Sequence, residues 1–129
     1  MINTSEKIIY KELSYALNGI FYVIHDTLGK YAREKQYGDL FEKFLTEKEI
    51  VYKREALISK TGLDINKADF VIENKIIVEF KVKPFVMRED YHQVKRYLEF
   101  SDLLLGILVN FRQQYLKPKR IINNKYSKQ

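Results

Sequence analysis

Asp69, Glu79 and Lys81 are the residues of this chain whose types and spacing can do chemistry together. Two carboxylates and an ammonium group brought to one place suit a hard divalent cation. Mg²⁺ takes oxygen ligands, often one or two carboxylates plus a substrate phosphate. Mn²⁺ is the natural substitute, and the backbone carbonyl of Phe80 would add a further oxygen. Beside such an ion a lysine orients or activates an attacking water, or stabilises charge developing on a phosphate.

Whether these groups meet depends on the hairpin that carries them, ADFVIENKIIVEFKVK over residues 68–83. Side chains alternate faces along a strand. A three-residue loop, Glu73-Asn74-Lys75, pairs Ile72 with Ile76 and therefore Asp69 with Glu79. Phe70, Ile72, Ile76, Val78 and Phe80 then face the core together. A two-residue loop would pair Asp69 with Val78 and mix apolar and charged rows on both strands. The apolar pattern selects the first register, with Asp69, Glu79 and Lys81 grouped at the non-core face. Facing carboxylates repel unless something offsets the charge, and a cation does so. A plain surface ion pair between Lys81 and Glu79 is the simpler alternative.

The surrounding elements follow from hydrophobic period. Leu13, Leu17, Ile20, Phe21, Ile24 and Leu28 recur at helical spacing over 11–28, and Gly29 stands where a left-handed C-cap is usual. A second helix is predicted over about 32–48 from Tyr37, Leu40, Phe41, Phe44 and Leu45. A strand is predicted from Ile50 through Ile58, then a turn over Thr61-Gly62-Leu63-Asp64, then the hairpin. A third helix spans about 88–100, the apolar run LLLGILVNF (103–111) reads as a buried strand, and a short strand near Arg120–Ile122 closes an edge. The order α-α-β-β-β-α-β predicts one α/β domain with a mixed sheet flanked by helices.

Composition bounds the function classes. A chain of 129 residues, 46% hydrophobic, is sized for a single domain. No apolar run reaches the ~18–20 residues of a membrane helix, and no signal peptide is expected. Cysteine is absent, which excludes disulfides, thiolate zinc sites and cysteine nucleophiles and suits a reducing cytosol; a cytoplasmic location is expected. His25 and His92 are too few for a histidine-based metal centre and read as structural. The net charge of +6 resides in residues 112–129, which hold six Lys/Arg and no Asp/Glu. Lys117, Lys119 and Arg120 are therefore expected to grip a phosphate backbone, giving affinity with little sequence readout. A solvated basic tail is the bland alternative.

The spacing Asp69, then Glu79-Phe80-Lys81, resembles the D…(D/E)xK signature of the PD-(D/E)xK nuclease superfamily. Leu28-Gly29, Glu34-x-x-Tyr37, Gln93-x-x-x-Tyr97-Leu98 and Gly106-x-Leu108-x-Asn110-Phe111 resemble its small GxxExxY family, from about Leu13 to Ile122. Tyr31 stands where that family has its second Gly. The resemblance implies a restriction-endonuclease-like α/β core and a Mg²⁺-dependent nuclease site acting on nucleic acid, with DNA the expected substrate. Asp69 and Glu79 would be metal ligands and Lys81 the catalytic lysine. Gln93 would orient water or phosphate, and Glu34 would point at the metal centre from outside the sheet. Tyr37 and Tyr97 would contact phosphate or pack the site. A second copy, as a homodimer, or a partner is the expected route for so small a domain to cut both strands. The alternative is a module that keeps the fold for binding nucleic acid or protein without catalysis.

Overall fold

A computed structural model describes residues 9–61 and 64–127. The elements are α1 (Lys11–Leu28), α2 (Glu34–Glu47), β1 (Tyr52–Thr61), β2 (Asp64–Ile72), β3 (Ile76–Lys81), α3 (Arg88–Ser101), β4 (Leu105–Asn110), β5 (Lys119–Ile122) and a single turn, α4 (Asn124–Ser127). The five strands lie in the order β1-β2-β3-β4-β5, antiparallel except for β3 and β4. That parallel pair is joined by α3, as a crossover requires. The architecture is the restriction-endonuclease-like core, with the predicted element order.

Boundaries differ in instructive places. β1 and β2 run on to Thr61↔Asp64, well past Ile58. Cross-strand pairing, invisible to a local pattern, extends both strands; Gly62 and Leu63 of the predicted turn lie outside the described residues. Gly29 ends α1 with φ 73° and ψ −163°, a positive φ but not the left-handed helical cap, and its N–H bonds the His25 carbonyl at 2.8 Å.

Both faces of the sheet are buried. α1 and α2 cover one face, where Leu17, Phe21 and Ile24 meet Tyr37, Phe41, Phe70, Phe80 and Phe111. The Phe80 ring stands edge-on to Phe111 at 4.8 Å and to Phe21 at 5.8 Å, geometries the ring quadrupoles favour. Each such side chain contributes roughly 1.5–3 kcal/mol by leaving water. α3 covers the other face through Val94, Tyr97 and Leu98 on Val71, Ile77 and Leu108. The face of Asp69, Glu79 and Lys81, expected to lie away from the core, is instead covered by α3, and Glu79 is only 4% exposed.

Candidate active site

The β2–β3 register is the one the apolar pattern selects, Ile72↔Ile76, Val71↔Ile77 and Phe70↔Val78. Beyond Phe70 the ordinary ladder gives way to side chains. The Asp69 N–H donates to Glu79 Oε1 at 2.7 Å, and the Phe80 N–H donates to Asp69 Oδ2 at 2.8 Å. β3 meanwhile stays paired with β4 as far as Lys81↔Asn110. The hairpin therefore parts at the two carboxylates, and each carboxylate commits one oxygen to a backbone amide.

Electrostatics mark the pair. Burial, then the nearby Asp69 charge, pushes Glu79 up to about 8; burial also raises Asp69, against the pull of the Phe80 amide and Lys81. Glu34, the first residue of α2, is exposed as a residue, yet desolvation and the Asp69 charge raise its carboxyl as well.

Lys81 Nζ donates to Gln93 Oε1 at 3.0 Å and lies 3.9 Å from Asp90 Oδ1. Tyr97 sits one turn after Gln93 on α3, and burial followed by the Glu79 and Asp69 charges raises its hydroxyl. Asp69, Glu79, Lys81, Gln93, Tyr97 and Glu34 are thus gathered from β2, β3, α3 and α2. A cleft of about 430 Å³ between α2 and the β1–β2 edge reaches two of these residues, Glu34 and Asp69, and is lined also by Gly38, Arg54, Glu55 and Phe80 among others; Glu79, Lys81, Gln93 and Tyr97 do not line it.

Several sequence assignments need correction. Tyr37 is fully buried, stacked on Phe111 at 4.2 Å; its hydroxyl donates to the Gly29 carbonyl at 2.5 Å and accepts the Ala32 N–H at 3.2 Å. It fastens the loop before Glu34 and has no surface for a phosphate. Tyr97, 5% exposed, packs beside Glu79 and Asp69, in line with the packing alternative of the sequence reading. Arg120, though exposed, is turned to the start of α1, donating to Ser14 Oγ at 2.7 Å and the Ile9 carbonyl at 3.1 Å. Lys117 and Lys119 are exposed. His25 bonds the Gln113 carbonyl through Nε2, a packing role, and His92 is a surface residue. Tyr31 does not adopt a positive φ, so its position makes no demand for Gly. Its exposed ring instead lies under Lys30 and Arg112, at 5.4 and 5.5 Å.

Other residues shape the site without having been assigned a role from sequence. Asn110 clamps the end of β3: its amide donates to the Lys83 carbonyl at 2.8 Å and its oxygen accepts the Lys83 N–H at 3.2 Å. Its signal was being the one polar side chain in an apolar run. Arg54 ties β1 to α2 through Asp39 at 2.7 Å and Glu42 at 3.1 Å. It lies so close over Gly38 that a Cβ there would stand 2.5 Å from its Nη2. Opposite Asp69, Glu55 has φ 51° between the pairs Arg54↔Phe70 and Ala56↔Ala68, an interruption that turns it to the cleft. Nothing in the local sequence signals Arg54 or Glu55.

Among the described residues no three acidic or histidine side chains are gathered as a metal-binding group, and no helix is long and apolar enough to cross a membrane. No match was found among curated proteins or among solved structures. A model of the PD-(D/E)XK nuclease superfamily, however, matches residues 11–122, spanning both site-bearing strands, α3 and the helix that carries Glu34. With that match, the parted hairpin, the paired carboxylates and the adjoining lysine take their place in a known frame: the chain belongs to the PD-(D/E)XK nuclease superfamily.

Proposed function

We propose that this domain is a metal-dependent nuclease of the GxxExxY group, hydrolysing phosphodiester bonds in DNA. The observation that carries the reading is the parting of β2 from β3, which leaves the carboxyl groups of buried Glu79 and half-buried Asp69 side by side, with Lys81 two residues on along β3. Their donor set suits Mg²⁺ or Mn²⁺: hard oxygens, one on each side chain not used by the backbone amides, with the Phe80 carbonyl adjoining. Asp69 and Glu79 would hold the ion, which supplies Lewis acidity toward a phosphoryl oxygen and lowers the pKa of water.

The protein's own groups do the rest. Lys81, steadied by Gln93 at 3.0 Å, presents its ammonium group to negative charge growing on phosphorus. Gln93, bonded to Lys81, orients water or a phosphate oxygen. Glu34, with its raised carboxyl at the cleft, is suited to accept a proton from the attacking water. Lys117 and Lys119 contribute sequence-independent attraction to the backbone.

The absence of a three-ligand acidic group among the described residues favours a second reading, a binding module that has kept the fold without catalysis. Cleavage assays on single- and double-stranded DNA and RNA, with and without Mn²⁺, decide between them. The nuclease reading expects metal-dependent cutting that disappears in Glu79→Ala and Lys81→Ala, and Mn²⁺ anomalous density between Asp69 and Glu79. Metal-indifferent binding, undiminished when Glu79 is neutralised, would establish the module instead.

A further inference from the structure

The outer face of α1 is covered by nothing among the described residues, and its chemistry is unusual for a lone helix. Tyr15 is 81% exposed and Tyr22 48%. Between them lies Gly19, with open space where a side chain would be. From Leu13 to His25 the helix carries no Asp, Glu, Lys or Arg at all. A solvated helix face is normally charged. The stripe ends in charge: Lys11 at one end and Asp26 at the other, both exposed.

At 100° per residue, Lys11, Tyr15, Gly19, Tyr22 and Asp26 fall within about 40° of one line along the helix. The steps between them are four, four, three and four, a seam of the kind by which helices pair. The seam is also self-complementary. Around a centre between Asn18 and Gly19, Tyr15 and Tyr22 are equally displaced, and so are Lys11 and Asp26. Two copies laid antiparallel about a two-fold axis at that centre place Tyr15 on Tyr22, and Lys11 on Asp26, twice over. A closed two-fold interface requires this relation, in which residue i meets j and j meets i.

The helix dipole sharpens the argument. A lysine in the first turn and an aspartate in the last turn each oppose the dipole of their own helix. Antiparallel pairing sets each beside its opposite charge on the partner and removes that conflict. Among the described residues neither Lys11 nor Asp26 has an ion-pair partner within the chain.

We propose that α1 pairs with α1 of a second copy of this chain, antiparallel, with the two-fold axis between Asn18 and Gly19. Gly19 lets the two backbones approach, and the tyrosines pack across the axis. A single helix pair lies at the small end of specific interfaces, so the dimer is a reversible one. The inference does not rest on the nuclease reading, since it uses no residue of that site.

Sedimentation velocity of the full chain over a concentration series tests it. The wild type is expected to dimerise reversibly. Lys11→Asp and Asp26→Lys, each placing like charges together twice, should each weaken association by about tenfold or more. The double variant K11D/D26K should recover it. Because the chain has no cysteine, cross-linking gives a second readout that uses mild substitutions. Oxidising a mixture of Tyr15→Cys and Tyr22→Cys proteins should yield the mixed disulfide dimer, and neither protein alone should cross-link efficiently. A wild type that stays monomeric overturns the proposal, as does a dimer indifferent to both reversals. Efficient cross-linking of Tyr15→Cys with itself would do the same, because it reports parallel packing. Circular dichroism on each variant keeps a folding defect from passing as dissociation.

Discussion

Asp90 and the Asp69–Glu79 pair are carboxylates withdrawn from water on either side of one lysine, Lys81, yet they are built in opposite ways. Burial alone would raise Asp90, but the Lys83 ammonium at 2.8 Å and the Met87 amide at 2.7 Å outweigh it and hold its carboxyl below the usual range. That is a carboxylate with its charge answered: it opens α3 and ties the helix to the chain leaving β3. Asp69 and Glu79 receive one backbone amide each and face one another, with Lys81 turned to Gln93. Both are raised. Burial acts at both places, but an ammonium group bonds only Asp90 directly; Lys81 draws Asp69 and Glu79 down too weakly to offset their burial.

The contrast can be broken most sharply by activity. On the proposed nuclease reading, Glu79→Ala or Lys81→Ala should reduce metal-dependent cleavage by at least about a hundredfold. An Asp90 substitution that still folds should leave most of the rate. The check is a turnover assay with circular dichroism on each variant.

Stability gives the next largest effect, with opposite signs at the two places. Asp90→Asn should cost about 2 kcal/mol at pH 7 by weakening a buried, charge-assisted contact. Because the Asp90 pKa is lowered from 3.8, that contribution is present at neutral pH and is lost as pH falls below about 4. Denaturant melts of the variant and the wild type should therefore converge in acid.

For Glu79 the sign reverses. Its carboxyl titrates near 4.5 when unfolded and about 8 when folded, so the folded state holds the extra proton in between. Stability is full below about pH 4.5 and is lost as pH rises through 8. Glu79→Gln, which still accepts the Asp69 N–H, should match the metal-free wild type at pH 4 and become the more stable of the two as pH rises to 8. Added Mg²⁺ should narrow that gap by stabilising only the wild type. Chemical denaturation across pH, with EDTA or Mg²⁺, reads both arms.

The smallest effect concerns how Glu34 is held. Tyr37→Phe removes the bonds to Gly29 and Ala32 and should cost about 1 kcal/mol of stability. If the loop aims Glu34 at the cleft, the variant should also lower the cleavage rate more than it weakens nucleic acid binding.

How much of this could be read from the residues varied with distance along the chain. Asp69 and Glu79 lie ten positions apart across one tight turn, and the alternation of Phe70, Ile72, Ile76 and Val78 left a single register that buries them all. That register needed no structure. The neighbourhood of Gln93 and Glu34 came from the resemblance, because no local period relates a helix residue to a strand on another layer. Tyr37 and Tyr97 sat on apolar helical faces, where packing and phosphate contact look alike; burial separates them. Arg120 was charge in a basic stretch until its guanidinium met Ser14, more than a hundred positions away.

The sequence alone determined the elements, the strand order within the hairpin and the meeting of the two acids, since these depend on near-neighbour geometry and the burial of apolar rows. Only the tertiary structure decided that α3 closes the second face, that an ammonium group bonds Asp90 but not Glu79, and that Arg54 and Glu55 line the cleft. Those outcomes depend on which distant charges and side chains arrive within a few ångströms, and the energy of a buried charge turns on that arrival far more than on its own position in the chain.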